Sequence, residues 1–187
     1  MSSFRSLIRL IIAILSFVAL WACQAAKTQP VDFGVVKMQA DAGWRVETPA
    51  SGMRKAQFTL PRVSGDAEDA DLVVFYFGAD QGGTVEANLK RWYTQFAQPD
   101  SSVSSEKAKV STDEVAGMNL TTVDLSGTYV APVTPGASER HNKPDFRMLA
   151  AVLETSEGPY FFKLVGPEKT VANWAASFHA FMKSAKS

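Results

Sequence analysis

Residues 72–77 read LVVFYF, an unbroken apolar run of β-branched and aromatic side chains. Successive side chains of a strand point to opposite faces. Both faces of this segment are apolar, which is typical of a strand covered on both sides. A glycine-rich turn at residues 78–83 follows, and Thr84 begins an amphipathic segment. Its apolar residues recur at the three- and four-residue spacing of one helical stripe: Val85, Leu89, Trp92, Tyr93 and Phe96. We interpret this strand and helix as the folding core, without chemistry of its own.

Apolar patterns on either side of this core predict further strands and a closing helix. The strands are expected at residues 35–38, 53–60, 107–112, 118–129, 146–154 and 160–165. Pro167 and Glu168 indicate the start of the last helix, since proline is favoured at the first helical position and a carboxylate suits the positive end of the helix dipole. These elements predict an α+β fold, in which an antiparallel β-sheet is flanked by two main helices as an α/β/α-type sandwich.

The composition is that of an ordinary globular chain and argues against several kinds of partner. The 187 residues carry 19 basic and 19 acidic side chains, so the net charge is zero. This balance gives no support for nucleic acid as a partner. The single cysteine, Cys23, excludes an intramolecular disulfide. Two histidines in the whole chain argue against a histidine-rich metal site. We therefore expect no metal and no cofactor.

The N-terminus has the pattern of a targeting segment. Arg5 and Arg9 supply a positive start, and residues 10–20 form an apolar stretch that is short for a membrane span. Residues 20–23, LWAC, then resemble the lipobox of bacterial lipoproteins, although Trp21 departs from the usual small or aliphatic residue. The resemblance implies lipid attachment to Cys23 after cleavage, and several acyl chains anchor a protein stably to a membrane.

This interpretation divides the chain into three parts. Residues 1–22 are expected to be the signal peptide, residues 23–32 the lipidated N-terminus and tether, and residues 33–187 a single α+β domain. In the lipoprotein family, glutamine after the cysteine favours the periplasmic side of the outer membrane, which is the location that the resemblance implies here. The alternatives are an ordinary secretory signal cleaved near Ala25, or a short uncleaved membrane anchor.

The order of elements resembles the domain family of Mog1 and the photosystem II protein PsbP, in which helices flank an antiparallel sheet. The resemblance covers residues from about 44 to 184 and rests on element order. Three segments also look like uncharacterised bacterial secreted proteins: MRKAQF at residues 53–58, FYFG at residues 75–78 and FKLVGP at residues 162–167. Neither resemblance implies a catalytic activity for this chain.

The longest irregular stretch contains the best candidate for a binding site. Residues 131–145 hold three prolines and a glycine, and loops of this length in compact domains are often functional. Its side chains Arg140, His141 and Lys143 offer positive charge and hydrogen-bond donors to an acidic partner or to lipid headgroups. The competing interpretation is a solvated loop without a partner.

Three other patterns have structural explanations that we prefer. Asp66, Glu68, Asp69 and Asp71 offer oxygen ligands for calcium, but they lack the regular spacing of a calcium-binding loop, so a solvated acidic loop is favoured. Thr84 after two glycines is better explained as a helix N-cap than as an anion site. A lone His179 on the last helix is more often structural than catalytic.

These observations leave three hypotheses for the function. The first is a non-catalytic envelope lipoprotein whose α+β domain binds a small ligand or an envelope protein. The second is a secreted or periplasmic enzyme whose active-site residues are scattered along the sequence, which a pocket with perturbed pKa values would reveal. The third is a structural subunit of an envelope assembly, which an exposed apolar patch would indicate.

Overall fold

The computed structural model describes residues 27–187, which form ten strands and three helices. The strands are β1 (Thr28–Asp32), β2 (Lys37–Asp41), β3 (Arg45–Glu47), β4 (Arg54–Leu60), β5 (Ala70–Tyr76), β6 (Phe96–Ala97), β7 (Lys109–Val115), β8 (Met118–Tyr129), β9 (Lys143–Thr155) and β10 (Gly158–Pro167). The helices are α1 (Val85–Tyr93), α2 (Ser104–Lys107) and α3 (Glu168–Lys183).

Eight strands form one antiparallel sheet in the order β3-β4-β5-β10-β9-β8-β6, with β7 also paired to β8. The apolar run at residues 72–77 forms most of β5, which lies between β4 and β10. The prediction of a strand inside the sheet is therefore confirmed. The two strands predicted at residues 146–154 and 160–165 form β9 and β10, which pair as a hairpin across residues 156–157.

One face of the sheet is covered by α3. Val171, Phe178 and Phe181 of this helix are fully buried, in one cluster with Leu72 and Val74 of β5. Full burial of an apolar side chain stabilises the fold by about 1.5–3 kcal/mol relative to exposure. This face is the main core of the domain.

The other face is covered by α1. Trp92 of this helix is buried against Phe161 of β10 and Val152 of β9, in a second apolar cluster. The side chain of Thr84 accepts a hydrogen bond from the backbone N–H of Ala87, so its predicted role as the N-cap of α1 is confirmed. Helices on both faces confirm the predicted α+β sandwich.

The first strand begins earlier than the sequence indicated. Residues 28–32 were expected to belong to the tether, but they form β1 and pair with β2 in a separate two-stranded sheet. The Gln29 side-chain amide donates to the backbone oxygens of Asp41 and Trp44 at 3.0 and 2.9 Å, and these contacts hold the strand in place. Residues 28–32 are therefore part of the folded domain instead of the expected tether.

Two element boundaries also differ from the expectation. Helix α1 ends at Tyr93, and Phe96 lies in β6 opposite Tyr129 instead of continuing the helical stripe. The Thr94 hydroxyl donates to the Arg91 backbone oxygen at 2.8 Å and helps to close the last turn. The hairpin strand β9 begins at Lys143, so the irregular loop is shorter than residues 131–145.

The described part of the chain contains no helix of the length and apolarity needed to cross a bilayer. The expected signal peptide and Cys23 lie outside the described residues, so the structure leaves the expected lipid attachment as a prediction.

Candidate functional site

A cavity of about 680 Å³ opens on the α1 face of the sheet. Its floor is formed by β4, β5 and β10, and its walls are the end of α1, the segment before β5 and the loop between β8 and β9. This volume is in the usual range for small-molecule sites. The side chains at its surface are Arg54, Gln57, Glu68, Asp69, Asp71, Val73, Phe75, Arg91, Gln95, Tyr129, Ala131, Pro132, Val133, Thr134, Pro135, His141, Lys143, Phe146, Lys163 and Val165.

The sheet register explains why the floor is partly apolar and partly charged. Val73 of β5 pairs with Gln57 of β4 on one side and with Lys163 of β10 on the other. Residues that pair directly across an antiparallel sheet share a face. Val73 therefore lies between two polar side chains, and Phe75 lies one pleat further along the same face.

Lys163 is the most unusual residue of the cavity. Its ammonium donates to the Gln95 side-chain oxygen and lies 3.5 Å from the Tyr129 hydroxyl, and both acceptors are neutral. Burial lowers the pKa of Lys163 to about 8, and the positive charge of Arg91 acts in the same direction. The lysine is still mostly protonated at neutral pH, so the cavity holds a desolvated cation.

Two further cations of the cavity also lack a carboxylate partner. The guanidinium of Arg54 donates to the Gln57 side-chain oxygen at 2.7 Å, and the guanidinium of Arg91 donates to the side-chain oxygen of Asn88. Within residues 27–187 neither arginine forms a salt bridge, and Lys163 forms none either. Three positive charges of one cavity are therefore available to an anion.

Most of the acidic side chains at the cavity are already engaged. Glu68 accepts from the Lys143 ammonium at 2.7 Å. The backbone N–H of Arg62, 2.9 Å from Asp69, and the Arg45 guanidinium hold the pKa of Asp69 below its usual range. These two carboxylates are neutralised within the protein.

Asp71 is the carboxylate without such a partner. The Asp71 side chain keeps contact with solvent through the open mouth of the cavity. Partial burial by the surrounding protein nevertheless raises its pKa, and the negative charge of Glu68 raises it further. The pKa of Tyr129 is raised by burial, with a smaller contribution from the charge of Asp71. With Asp69, four groups of one cavity therefore have perturbed pKa values: Asp69, Asp71, Tyr129 and Lys163.

The predicted binding loop lies partly at this cavity. His141 stacks on the Tyr129 ring with 5.4 Å between ring centres, and Lys143 lies 5.3 Å from the centre of the Phe146 ring. Both line the cavity, whereas Arg140 is exposed and donates to the backbone oxygen of Thr94 at 3.4 Å. The structure therefore brings two of the three predicted side chains together.

The four carboxylates of the acidic loop, at positions 66, 68, 69 and 71, do not form a common site. Asp66 accepts hydrogen bonds from the backbone N–H and the hydroxyl of Thr170, at 2.9 and 2.6 Å, and so caps α3. Among residues 27–187 there is no cluster of three or more histidine, cysteine or carboxylate side chains that could hold a metal ion. His179 is exposed on α3, at a separate shallow depression, and does not reach the cavity.

Sequence reasoning missed Lys163, Arg91, Arg54 and Tyr129. The positions of three of them carry no distinctive pattern. Lys163 does carry one, because residues 160–165, YFFKLV, place a lysine on the same strand face as Phe161 and Val165. A charged side chain inside such an apolar run is a signal for a buried polar site.

No protein-family model matches the chain, and no curated protein sequence matches it. Among solved structures, the cyanobacterial PsbP (CyanoP) of Synechocystis sp. PCC 6803 is similar with a TM-score of 0.51 and 13% identity, over 91% of this chain and 98% of that chain. LpqN, involved in cell envelope biogenesis of Mycobacterium tuberculosis, gives a TM-score of 0.49 and 9% identity, over 86% and 90% of the two chains. A Pseudomonas aeruginosa protein of unknown function, a putative regulator, gives a TM-score of 0.46 and 11% identity, over 84% of this chain and 94% of that chain.

The likeness to the cyanobacterial protein confirms the expected PsbP-like α+β fold. At 13% identity the likeness concerns the fold alone. The function of this chain must therefore be argued from its own cavity.

Proposed function

We propose that this chain is an envelope lipoprotein, anchored through lipid on Cys23, whose domain binds a small ligand in the cavity on the α1 face. The observation that carries this proposal is the cavity of about 680 Å³, in which apolar floor residues such as Val73 and Phe75 lie among polar and charged side chains. Such a combination is typical of small-molecule sites, where apolar contacts supply affinity and polar groups fix the orientation.

Binding without chemistry is favoured by the content of the cavity. Among the described residues its lining contains neither serine nor cysteine, the two side chains that most often act as nucleophiles in acyl transfer. The histidine of the lining, His141, lies against the Tyr129 ring instead of a nucleophile. These two features support binding over acyl transfer.

The anchor is supported by the sequence and by the position of the first strand. Cys23 precedes Thr28, the first residue of β1, by five positions. Five residues span at most about 18 Å when extended. A lipid on Cys23 would hold the domain next to the membrane surface.

The binding function is tested with a neutral fluorescent probe, N-phenyl-1-naphthylamine, and the full chain. Val165 lies on the cavity floor, so Val165→Phe fills part of the space that a ligand needs. We expect the wild-type chain to bind the probe and Val165→Phe to bind it at least tenfold more weakly. Val110→Phe is the matched control, because Val110 is exposed on β7 and lies outside the lining of the cavity.

Equal probe affinity of the wild type and Val165→Phe would show that the cavity is not the binding site. Loss of binding in Val110→Phe as well would indicate an effect on the whole fold, and circular dichroism of each variant identifies this outcome.

A second candidate function is an enzyme, and one observation favours it. A lysine with a pKa of about 8 in a partly closed cavity, near a tyrosine and a carboxylate, is typical of general bases and of amine nucleophiles. The wild-type chain would then convert a metabolite from an envelope extract, while Lys163→Met would still bind the neutral probe and convert nothing. Conversion of the metabolite by both the wild type and Lys163→Met would show that Lys163 is not the catalytic base or nucleophile.

A further inference from the structure

Lys163 is a partly buried cation without a counterion in the described structure. Charged groups that leave water are ordinarily paired with an opposite charge, since the cost of desolvation is otherwise not offset. An ammonium has three N–H donors. Its acceptors here are the neutral Gln95 oxygen and the neutral Tyr129 hydroxyl, the latter at 3.5 Å. An anion in the cavity would supply both the missing acceptor and the missing charge.

Arg91 adds a second positive charge at the same end of the cavity. It projects from the last turn of α1 and borders a recess together with Phe75, Gln95 and Lys163. Its charge is close enough to act on the ionisation of Lys163. Two cations that repel one another are both stabilised when an anion binds between them.

The acidic groups lie towards the other end of the floor. Asp71 precedes Val73 by two residues on the same face of β5, and Val73 pairs with Lys163, so Asp71 and Lys163 are diagonal neighbours about 7–8 Å apart. Glu68 and Asp69 lie before β5 on the same side as Asp71 and are paired with Lys143 and Arg45. Lys163 therefore lies near the middle of the floor, with Arg91 towards Phe75 and the carboxylates towards Asp71.

The geometry points to a carboxylate subsite formed by Lys163 and Arg91, with the ligand a small organic acid whose apolar body lies on Val73 and Phe75. This inference rests on the proposed binding function, and it adds the chemical class of the ligand. The side-chain amide of Gln95 is placed to hold the Lys163 ammonium in position, since its oxygen accepts from that group. Lys163 and Arg91 bind the anion, and the aromatic and aliphatic floor binds the rest of the molecule.

The test compares three probes of equal size on the full chain: 2-naphthoate, neutral 2-naphthamide and cationic 2-naphthylmethylammonium. Isothermal titration calorimetry at pH 7 gives each affinity. We expect the wild type to bind the naphthoate at least tenfold more tightly than the amide, and the ammonium probe more weakly than both.

Two variants assign this preference to the subsite. Lys163→Met keeps the length of the side chain and removes its charge, so its preference for naphthoate over naphthamide is expected to fall at least fivefold, with Arg91 supplying what remains. Arg91→Gln, at an exposed position on α1, is expected to reduce the preference without affecting the fold. Lys109→Met is the matched control, because Lys109 is an exposed lysine of β7 outside the cavity lining.

The pH dependence separates a binding role of Lys163 from a structural one. The other titratable or charged groups that line the cavity are Arg54, Glu68, Asp69, Asp71, Arg91, Tyr129, His141 and Lys143. If naphthoate requires the protonated lysine, its affinity falls about tenfold between pH 7 and pH 9, since Lys163 loses its proton in this range. The Lys163→Met chain retains all of the other groups and is expected to show no such fall.

The outcomes distinguish this inference from the function on which it rests. Equal affinity for naphthoate and naphthamide, or a preference for the ammonium probe, would overturn the carboxylate subsite and leave the cavity as a binding site. A preference that persists in both Lys163→Met and Arg91→Gln would also overturn it. If none of the three probes binds, the binding function of the cavity itself is refuted.

Discussion

The ammonium of Lys163 lies 5.4 Å from the centre of the Tyr129 ring, so a cation on β10 packs against an aromatic face on β8, two strands away. A cation over an aromatic ring gains about 0.5–2 kcal/mol, more when it is desolvated. This contact offsets only part of the cost of burying the lysine, since the pKa is still lowered to about 8. Lys163 is therefore a residue that the fold accommodates at a cost to its stability.

Replacing Lys163 with methionine is expected to stabilise the domain at neutral pH. The folded-state pKa of about 8 lies below the ordinary value of 10.5, so the unfolded chain binds the proton more tightly. The resulting destabilisation is fully present below pH 8 and is relieved as the pH rises from about 8 to 10.5. The shift corresponds to about 3 kcal/mol at most, and the lost contacts with Gln95 and Tyr129 reduce the gain.

Urea denaturation of the wild type and Lys163→Met at pH 7 and pH 10 measures this effect. We expect the stability advantage of the variant to be largest at pH 7 and to shrink towards pH 10. An advantage that is independent of pH would mean that the lysine is not desolvated in the folded protein.

Removing the side chain of Asp66 is expected to destabilise the domain. Pro167 precedes α3 and offers no side-chain cap, and Asp66 supplies the missing acceptor to the backbone N–H and hydroxyl of Thr170. Loss of such a cap costs about 1–2 kcal/mol. Chemical denaturation of Asp66→Ala measures it, with Glu139→Ala on the exposed loop as the control. Equal stability of the two variants would contradict the capping role.

The ion pair between Arg147 and Asp124 is expected to contribute measurably to stability. The guanidinium donates to both carboxylate oxygens, at 2.8 and 2.7 Å, and both side chains are largely shielded from water. Arg147→Lys keeps the charge but loses the two-point geometry, so we expect a loss of about 1 kcal/mol. A double-mutant cycle with Asp124→Asn gives the coupling energy. The exposed pair Glu86–Lys90 is the control, and a coupling no larger than in that pair would contradict this expectation.

Cys23→Ser is expected to abolish attachment to the membrane. If Cys23 carries lipid, the mature chain purified from its own membranes begins at this residue and has added acyl mass, whereas the serine variant lacks the thiol for lipid transfer. Intact mass spectrometry of both chains measures the difference. A wild-type chain that is cleaved near Ala25, or that retains residues 1–22, would support one of the alternative interpretations of the N-terminus.

The sequence was informative where structure depends on local periodicity. Residues 53–60 were predicted to form a strand, and in β4 the alternate residues Phe58 and Leu60 are both buried. The spacing of apolar residues predicted α1 as far as Tyr93, because a helix buries one stripe of its own side chains. These elements can be recognised without any information about their neighbours.

Local periodicity could not predict β1 or the cavity. Residues 28–32 form a strand because they pair with β2, and Pro30 in the middle argued against this in isolation. The candidate site combines Arg91, Tyr129 and Lys163, which lie on α1, β8 and β10 and are more than thirty residues apart. Only the order of strands in the sheet brings them together.

The position of the β1–β2 sheet has a consequence for how the domain would be oriented. Val31, Phe33 and Met38 of this unit pack into the same apolar cluster as α3, whereas the cavity opens on the face of α1. The chain thus enters the fold on one side of the main sheet and offers its cavity on the other. In a domain held at its N-terminus by a lipid, the mouth of the cavity would point away from the bilayer, so that solutes would exchange with it directly from the aqueous compartment.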